Sequence, residues 1–275
     1  MQTSRIEQLA TYVILVLFTV IALFPLVGIA LSAVAPPEDA IGGFSIPSGI
    51  HLQNFAEAWV RGNFSRYLAN SLFVGLTVVA VTAVLATMAG YAFGTMRFRF
   101  ATPLFYLFLL GLMVPQEAIV VPLFYDLRDL GLTDTYWALI LPQIAQSLSF
   151  GTFWMRTYFR SSPRALIEAA RLDGASSWTT LWRILLPMGR PALTTMVVLV
   201  FMWTWNEFFL ALVMVPSNED LRTAPLGLAF FQGQHSSDFA LLAAASVIVA
   251  APVVIAYIVL QRRFIAGMLS GAIRE

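Results

Sequence analysis

The sequence predicts an all-α, polytopic integral membrane protein, with six transmembrane helices in a single domain over residues 1–275. Three observations carry that expectation. Hydrophobic residues make up 59% of the chain and charged residues 11%, with a mean hydropathy of +0.79, whereas a soluble domain carries roughly 25% charge. Apolar runs of about 20 residues, the length a bilayer core requires, recur along the chain. Arginines are spread unevenly over the segments that join them.

The runs are Thr11–Ala33, Ala69–Phe93, Pro103–Phe124, Tyr136–Phe159, Pro191–Val215 and Ala240–Leu260. The first follows Arg5 and ends in Ala33-Val34-Ala35, an A-x-A-like cleavage pattern. Its core is too long for the apolar region of a leader and Pro36 follows at once, so an uncleaved signal-anchor helix is expected. Pro36–Arg66 starts rich in Gly and Pro and then gathers Phe55, Trp59 and Phe64. That composition predicts a short helix lying along the membrane surface before the second run.

Two carboxylates fall inside runs, Glu117 between Pro115 and Pro122, and Glu207 after Trp203, Trp205 and Asn206. A carboxylate in a membrane is costly, so it faces a cavity, a partner or a substrate path. Both lie in the outer half of their runs, where bonding between helices or partial hydration is the plainer alternative. Glu117, Trp205, Asn206 and Glu207 are accordingly the candidates for a substrate path. The aromatic run Phe201, Trp203, Trp205, Phe208 and Phe209 invites stacking on a sugar. At helical spacing Trp205 and Phe209 share a face while Trp203 points elsewhere, and packing or interfacial placement accounts for most of these rings.

Between the fourth and fifth runs, residues 160–190 form a polar, arginine-bearing interruption. Ser161-Ser162-Pro163 is expected to open a helix, with a hydroxyl capping free amides and proline at the first helical position. Gly174 is expected to end it in a left-handed conformation. Ser176 or Ser177 then caps a second helix, on which Trp178, Leu181 and Leu185 share a face until Pro187 disfavours helix at Leu186. Two short helices around a glycine bend, with one apolar side to hide, suit a groove on a partner protein.

All 16 basic residues are arginine. In a six-span arrangement Arg5, Arg97, Arg99, Arg156, Arg160, Arg164, Arg171, Arg183, Arg190, Arg262, Arg263 and Arg274 lie on one side, and only Arg61, Arg66, Arg128 and Arg222 on the other. That asymmetry places both termini and the 160–190 segment in the cytoplasm. Glu38, Asp39, Glu57, Asp126, Asp129, Asp134, Glu219, Asp220 and Asp238 fall in the opposite, external loops. The formal charge of +1 gives no reason to expect nucleic acid. The chain has no cysteine, which excludes disulfides, thiolate nucleophiles and cysteine metal sites. It has no lysine either, which removes the phosphate-loop lysine and Schiff-base chemistry. His51 and His235 are far apart, so no metal site is expected. An ion-coupled secondary transporter would call for ion-binding carboxylates near mid-membrane and discontinuous helices in paired repeats. Only Glu117 and Glu207 gesture toward that reading. An intramembrane enzyme lacks the raw material.

Glu168-Ala169-Ala170, then Gly174 after three residues, Ile184 after nine more, and Leu186-Pro187 after one resemble the cytoplasmic signature of ABC importer permeases. Asn70-Ser71-Leu72, Ala89-Gly90-Tyr91-Ala92-Phe93, Trp205-Asn206-Glu207-Phe208, Pro225-Leu226-Gly227-Leu228 and Gly267-Met268-Leu269-Ser270-Gly271-Ala272 resemble the carbohydrate-uptake branch. The closest likeness is to the smaller six-span permease of maltose-type and glycerol-phosphate-type systems. The resemblance implies a non-catalytic translocation subunit in a bacterial or archaeal inner membrane. Its implied partners are a second permease subunit, a pair of cytoplasmic ATPase subunits that bind ATP and Mg, and an extracytoplasmic solute-binding protein. It also implies that this chain holds no cofactor, and that its cargo is a sugar, oligosaccharide, polyol or glycerol phosphate, or less expectedly a non-sugar solute. Carried over by position, Glu168, Ala169, Ala170 and Gly174 would form the coupling helix and its bend. Ile184, Leu186 and Pro187 complete the motif, with Arg171 and Asp173 as local electrostatic support. The Pro216–Phe239 loop, with Gln232-Gly233-Gln234, is the expected contact for the binding protein, and Arg262–Glu275 either docks on the ATPases or anchors the last helix.

Overall fold

The computed structural model describes residues 4–40, 44, 46–231 and 238–272, the side chains of residues 262–272 excepted. Gln232-Gly233-Gln234, His235 and Arg274 lie outside the described residues. The fold is all-α, with no strand among the described residues. In order, the helices are α1 (Arg5–Ala33), α2 (Gln53–Arg61), α3 (Phe64–Thr95), α4 (Ala101–Met113), α5 (Gln116–Asp129) and α6 (Tyr136–Arg160). They continue with α7 (Arg164–Leu172), α8 (Ser177–Thr179), α9 (Leu186–Met188), α10 (Arg190–Trp205), α11 (Phe209–Met214), α12 (Ala224–Gly227) and α13 (Phe239–Ala272). A π-helical turn, Thr180–Leu185, joins α8 to α9.

Residues 1–66 and 226–252 make one compact unit. α1 starts on a capping box: the Ser4 hydroxyl accepts from the Glu7 amide at 3.2 Å, and the Ser4 amide donates to the Glu7 carboxylate at 2.8 Å. Its apolar stretch has no buried residue, and Phe18 keeps 64% of its surface. A helix that is apolar all round needs lipid or protein against it. The short helix expected within Pro36–Arg66 is α2. Its buried Asn54 donates to the Ala33 carbonyl at 3.1 Å and the Ala35 carbonyl at 2.9 Å, satisfying the end of α1.

Residues 67–225 and 253–275 make the second unit. Its centre is a close crossing of α3 and α6, where Ala86, Gly90 and Gly94 form a stripe at four-residue intervals. A Cβ built on Gly90 would lie 2.6 Å from the Met155 Cβ and 2.8 Å from the Arg156 nitrogen, and one on Gly151 would lie 2.7 Å from the Ala86 Cβ. Small residues let helix backbones approach, which matters where lipid supplies no hydrophobic drive for association. At the start of α3, Asn70 donates to the carbonyls of Asp220 (2.8 Å) and Arg222 (2.9 Å) and accepts from the Tyr136 hydroxyl (2.7 Å). Ser71 accepts from the Ala224 amide at 2.9 Å, and Asp134 accepts from the amides of Ser217 and Asn218, both at 2.9 Å. The loop before α12 is thus pinned to the first turns of α3 and α6.

Three helical stretches are long and apolar enough to cross a membrane, Arg5–Ala33, Phe64–Thr95 and Phe239–Gln261. Two bent pairs pass the same test, α4 with α5 at 98°, and Ser177–Met188 with α10 at 81°. α6 is long enough at 25 residues, but Gln143, Gln146, Ser147, Ser149 and Thr152 lower its hydropathy. Two expected runs are not continuous helices. Pro103–Phe124 breaks at Val114-Pro115, because proline holds the residue before it in an extended conformation, here φ −82° and ψ 117°. Pro191–Val215 breaks after Trp205, at Asn206 to Phe208, and resumes as α11.

The α3–α6 crossing makes a sharp prediction for stability. Gly90→Val should destabilise the purified chain by roughly 1–3 kcal/mol through overpacking, read as a lower midpoint of thermal unfolding in detergent. An unchanged midpoint would show that the two helices separate freely at this point.

Candidate functional site

Two features of the second unit bear on function. The first is a cavity of about 500 Å³ lined by Gln116, Gln143, Gln146, Ser147, Phe150, Trp203, Asn206 and Glu207, closed by Leu112, Leu199, Met202 and Thr204. Both helix breaks open onto it. Gln116 lies just after the bend at Pro115, and Asn206 and Glu207 form the bend after α10. Asn206 closes α10 by donating its side-chain amide to the Met202 carbonyl at 2.7 Å. Glu207 accepts the Leu210 amide on one carboxyl oxygen at 2.7 Å, and the Gln116 side chain on the other at 3.2 Å. α6 supplies one wall, since Gln143, Gln146, Ser147 and Phe150 follow the i, i+3, i+4, i+7 spacing of a single face. Opposite, Trp203 stands edge-on to Phe150, ring centres 4.7 Å apart. Among the described residues the wall offers amides, two hydroxyls, one carboxyl and aromatic faces, and no arginine.

Of the four path candidates from sequence, Asn206 and Glu207 come together in this cavity. Glu117 and Trp205 do not. Glu117 is exposed in the first turn of α5 and faces away. Trp205 is 1% exposed and packs in the core against Phe201, while Trp203 lines the cavity. The facial argument that paired Trp205 with Phe209 fails because the helix is interrupted between them. The polar face of α6 is legible in the sequence at helical spacing, whereas its pairing with Asn206 and Glu207 depends on the fold.

The second feature is the helix pair between α6 and α10. Gly174 takes φ +75°, and its amide donates to the Arg171 carbonyl at 3.0 Å while the Ala175 amide donates to Ala170 at 2.9 Å, a left-handed stop after α7. Ser176 caps the next helix, accepting from the Thr179 amide at 3.2 Å. Two local expectations are corrected. Ser161 and Ser162 do not cap α7: their hydroxyls turn back to the Tyr158 carbonyl at 2.8 and 3.3 Å, finishing α6, and Pro163 itself stands at the N-cap. Helix also persists through Leu186, at φ −68° and ψ −41°. The π turn before it shifts the hydrogen-bond register, so the missing Pro187 donor falls at a junction instead of inside a regular ladder.

Glu168, Ala169, Arg171, Asp173, Gly174 and Pro187 are exposed, Ile184 and Leu186 are half-buried, and Ala170 is buried. α7 shows distinct faces, an exposed one with Ala165, Ala169 and Leu172 and a polar one with Arg164, Glu168 and Arg171. Leu172 keeps 89% of its surface and Trp178 60%, although the Trp178 ring centre lies 5.4 Å from that of Trp182. The helix pair is tied to α6, and α6 to the start of α10. The Tyr158 hydroxyl donates to the Leu185 carbonyl at 3.4 Å, and the Trp154 indole donates to the Ala192 carbonyl at 2.9 Å. Gly189 leaves room for Tyr158, whose ring would lie 2.5 Å from an added Cβ.

Residues 83–269, which hold the cavity and the helix pair, match the family described as binding-protein-dependent transport system inner membrane component. The chain is 37% identical over 272 residues to a probable ABC transporter permease protein, YurM, of Bacillus subtilis, covering 98% of this chain and 89% of that one. It is 32% identical over 278 residues to the trehalose/maltose transport system permease protein MalG of Thermococcus litoralis, covering 100% and 99%. Among solved structures it resembles a chain of a bacterial ABC transporter involved in the import of the acidic polysaccharide alginate, with a TM-score of 0.80 over 96% of this chain and 99% of that one at 24% identity. That likeness bears on fold alone. The bent spans, the cavity between them and the helix pair beneath α6 and α10 are therefore parts of a transport subunit and not of a catalyst, and the chain belongs to the family of binding-protein-dependent inner membrane permeases of ABC transporters.

Proposed function

We propose that the chain is the translocation subunit of an ATP-driven, binding-protein-dependent importer for a carbohydrate, with the 500 Å³ cavity as its part of the solute path. The carrying observation is the composition of that cavity. Amides and two hydroxyls match the hydroxyl groups of a sugar, the Trp203–Phe150 pair offers aromatic faces to its C–H surface, and the lack of a cation among the described lining residues disfavours an anionic cargo. The names of the relatives, a trehalose/maltose permease among them, support the same class.

On this reading the chain crosses the membrane six times, α6 completing the count, with both termini and α7–α9 in the cytoplasm, as the arginine asymmetry favours. A second permease subunit covers the bare apolar surface of α1. The exposed Ala169, Leu172 and Gly174 side of the helix pair seats on a cytoplasmic ATPase subunit, whose partner copy serves the second permease. ATP and Mg are held there and not in this chain. The family's description supports a solute-binding protein as the donor, and the loop pinned by Asn70 and Asp134 offers it a fixed platform. ATP-driven closure of the ATPases then moves α7–α9, and with them α6 and α10, between inward- and outward-facing states. Nucleotide drives this only through its different affinity for the two states.

Three outcomes test the proposal. Gln146 has no partner within the protein among the described residues, so Gln146→Leu should raise the half-saturating sugar concentration for uptake by about tenfold, the loss of a hydrogen bond of ~1 kcal/mol or slightly more. Unchanged uptake kinetics would remove the cavity from the path. Gly174→Pro and Glu168→Arg should leave membrane insertion intact and lower both ATPase-subunit association and solute-stimulated ATP hydrolysis; normal transport in both variants would sink the docking role. A binding screen of the partner solute-binding protein should give sugars or polyols, and tight binding of an amino acid or metal ion instead would overturn the carbohydrate class.

A further inference from the structure

A second polar cavity, of about 510 Å³, lies where α3 and α6 end and α7 begins. Thr95 is the last residue of α3 and Arg160 the last of α6. Around the opening stand Arg97, Arg160, Arg164 and Arg171, with Glu168 as the one acidic residue, so the lining carries four formal positive charges against one negative. Among the described residues none of these four arginines has a carboxylate within ion-pair distance. The contrast with arginines elsewhere is direct. Arg61, Arg128 and Arg222 each sit within 4 Å of a nearby Glu or Asp, at 2.5, 3.6 and 3.0 Å. Arg156, one turn before Arg160, is also engaged, donating to the Phe93 carbonyl at 3.2 Å and lying 3.7 Å over the Phe105 ring. The four around the cavity converge with their charge unanswered.

We infer that this cavity binds the phosphate headgroup of an anionic phospholipid in the cytoplasmic leaflet. The inference rests on the cytoplasmic placement proposed above and adds a ligand that the transport reading does not require. Depth favours lipid, because two membrane helices end at the cavity, which is where the headgroups lie. Beside it Phe98 and Phe100 expose 41% and 62% of their surface, suited to the boundary between headgroup and acyl chain. On α7 Arg164, Glu168 and Arg171 lie one residue round the helix from Ala165, Ala169 and Leu172, so a lipid in the cavity leaves the apolar part of the proposed ATPase contact open and borders it at Glu168. Guanidinium groups match phosphate oxygens in paired hydrogen bonds, which an ammonium cannot do.

The test uses the full-length chain purified in a neutral detergent and analysed by native mass spectrometry, with phosphatidylglycerol or phosphatidylcholine added at matched concentrations. Phosphatidylglycerol should form a persistent adduct and phosphatidylcholine should not. Arg160→Gln with Arg164→Gln should weaken that adduct on the order of tenfold or more, while Arg183→Gln, exposed on the π turn and outside the cavity, should not. Unchanged circular dichroism and elution volume confirm that the double variant is folded, and Arg97→Gln gives a second variant in the loop after α3. Equal retention of both lipids, or an adduct indifferent to all the cavity variants, overturns the inference. Displacement by inorganic phosphate at low millimolar concentration reassigns the site to a free anion. A double variant that keeps the lipid but loses the ATPase subunits assigns the arginines to that partner instead. Since adducts are read on the isolated chain, failure here leaves the transport reading standing, and failure of sugar uptake leaves the lipid result standing.

Discussion

Inside hydrocarbon every backbone N–H and C=O needs a partner within the protein, so irregular backbone survives only where it is buried or lines a cavity. The second unit is arranged around that constraint. Its two breaks, at Val114-Pro115 and at Asn206 to Phe208, open on the same cavity, and side chains take up the groups the breaks release. Glu207 answers the free Leu210 amide at the start of α11, and Asn206 adds its side-chain amide to the Met202 carbonyl that its own backbone amide already bonds. Gln116 reaches across to Glu207 and joins the two breaks to each other. The polar cavity and the broken helices are one feature: the breaks bring polar groups to mid-helix, and the polar groups make the breaks tolerable.

What the sequence disclosed follows the range of the interactions involved. Gly174, Ser176 and the spacing of the Glu168–Pro187 motif are local, and the helix pair they announce is present with its left-handed stop and its cap. Apolar runs likewise located α1, α3, α6 and α13, because hydropathy sums over many residues and tolerates local error. The misreadings occur where one local rule met another. Serine before proline signals a cap, yet the same hydroxyls also close the preceding helix, and that geometry prevails here. Prolines within the runs do not act alike: at Pro122, Pro142 and Pro252 the helix runs on, whereas at Pro115 it turns by 98°. Trp203 and Trp205 exchanged their expected roles because a 3.6-residue projection presumes an unbroken helix. The Gln116–Glu207 bond spans 91 positions, and nothing in either neighbourhood points to the other.

The α3–α6 crossing shows what the glycines do in place of side chains. Gly90 and Gly151 bring the two backbones so near that a methyl group would overlap a neighbour at either point. α6 is thereby fixed along one side by α3 and along another by α4, where Gly111 admits Ser149. A helix held in this way moves as a unit or does not move. Its polar face toward the cavity keeps its place against α3 and α4, so on the proposed reading the cavity changes shape through α10, α11 and α5 shifting against that group.

That division bears on how a displacement at α7–α9 would reach the solute path. The helix pair is bonded to α6 through Tyr158 and Leu185, and α6 to the start of α10 through Trp154 and Ala192. From Tyr158 to Gln146 is about 18 Å along one continuous helix at 1.5 Å per residue, and from Ala192 to Trp203 a similar ~16 Å. Both walls of the cavity therefore stand on helices whose other ends are anchored at the proposed docking unit. A push on that unit that moved α6 and α10 equally would carry the cavity along unchanged. Opening requires that the two helices respond differently, and the structure makes them different: α6 is clamped by glycine contacts on α3 and α4, while α10 ends in a hinge of three residues held by Asn206 and Glu207. On the proposed reading, alternating access depends on that asymmetry of restraint, with α6 moving together with α3 and α4 and the Asn206–Phe208 break as the place where α10 and α11 shift against them.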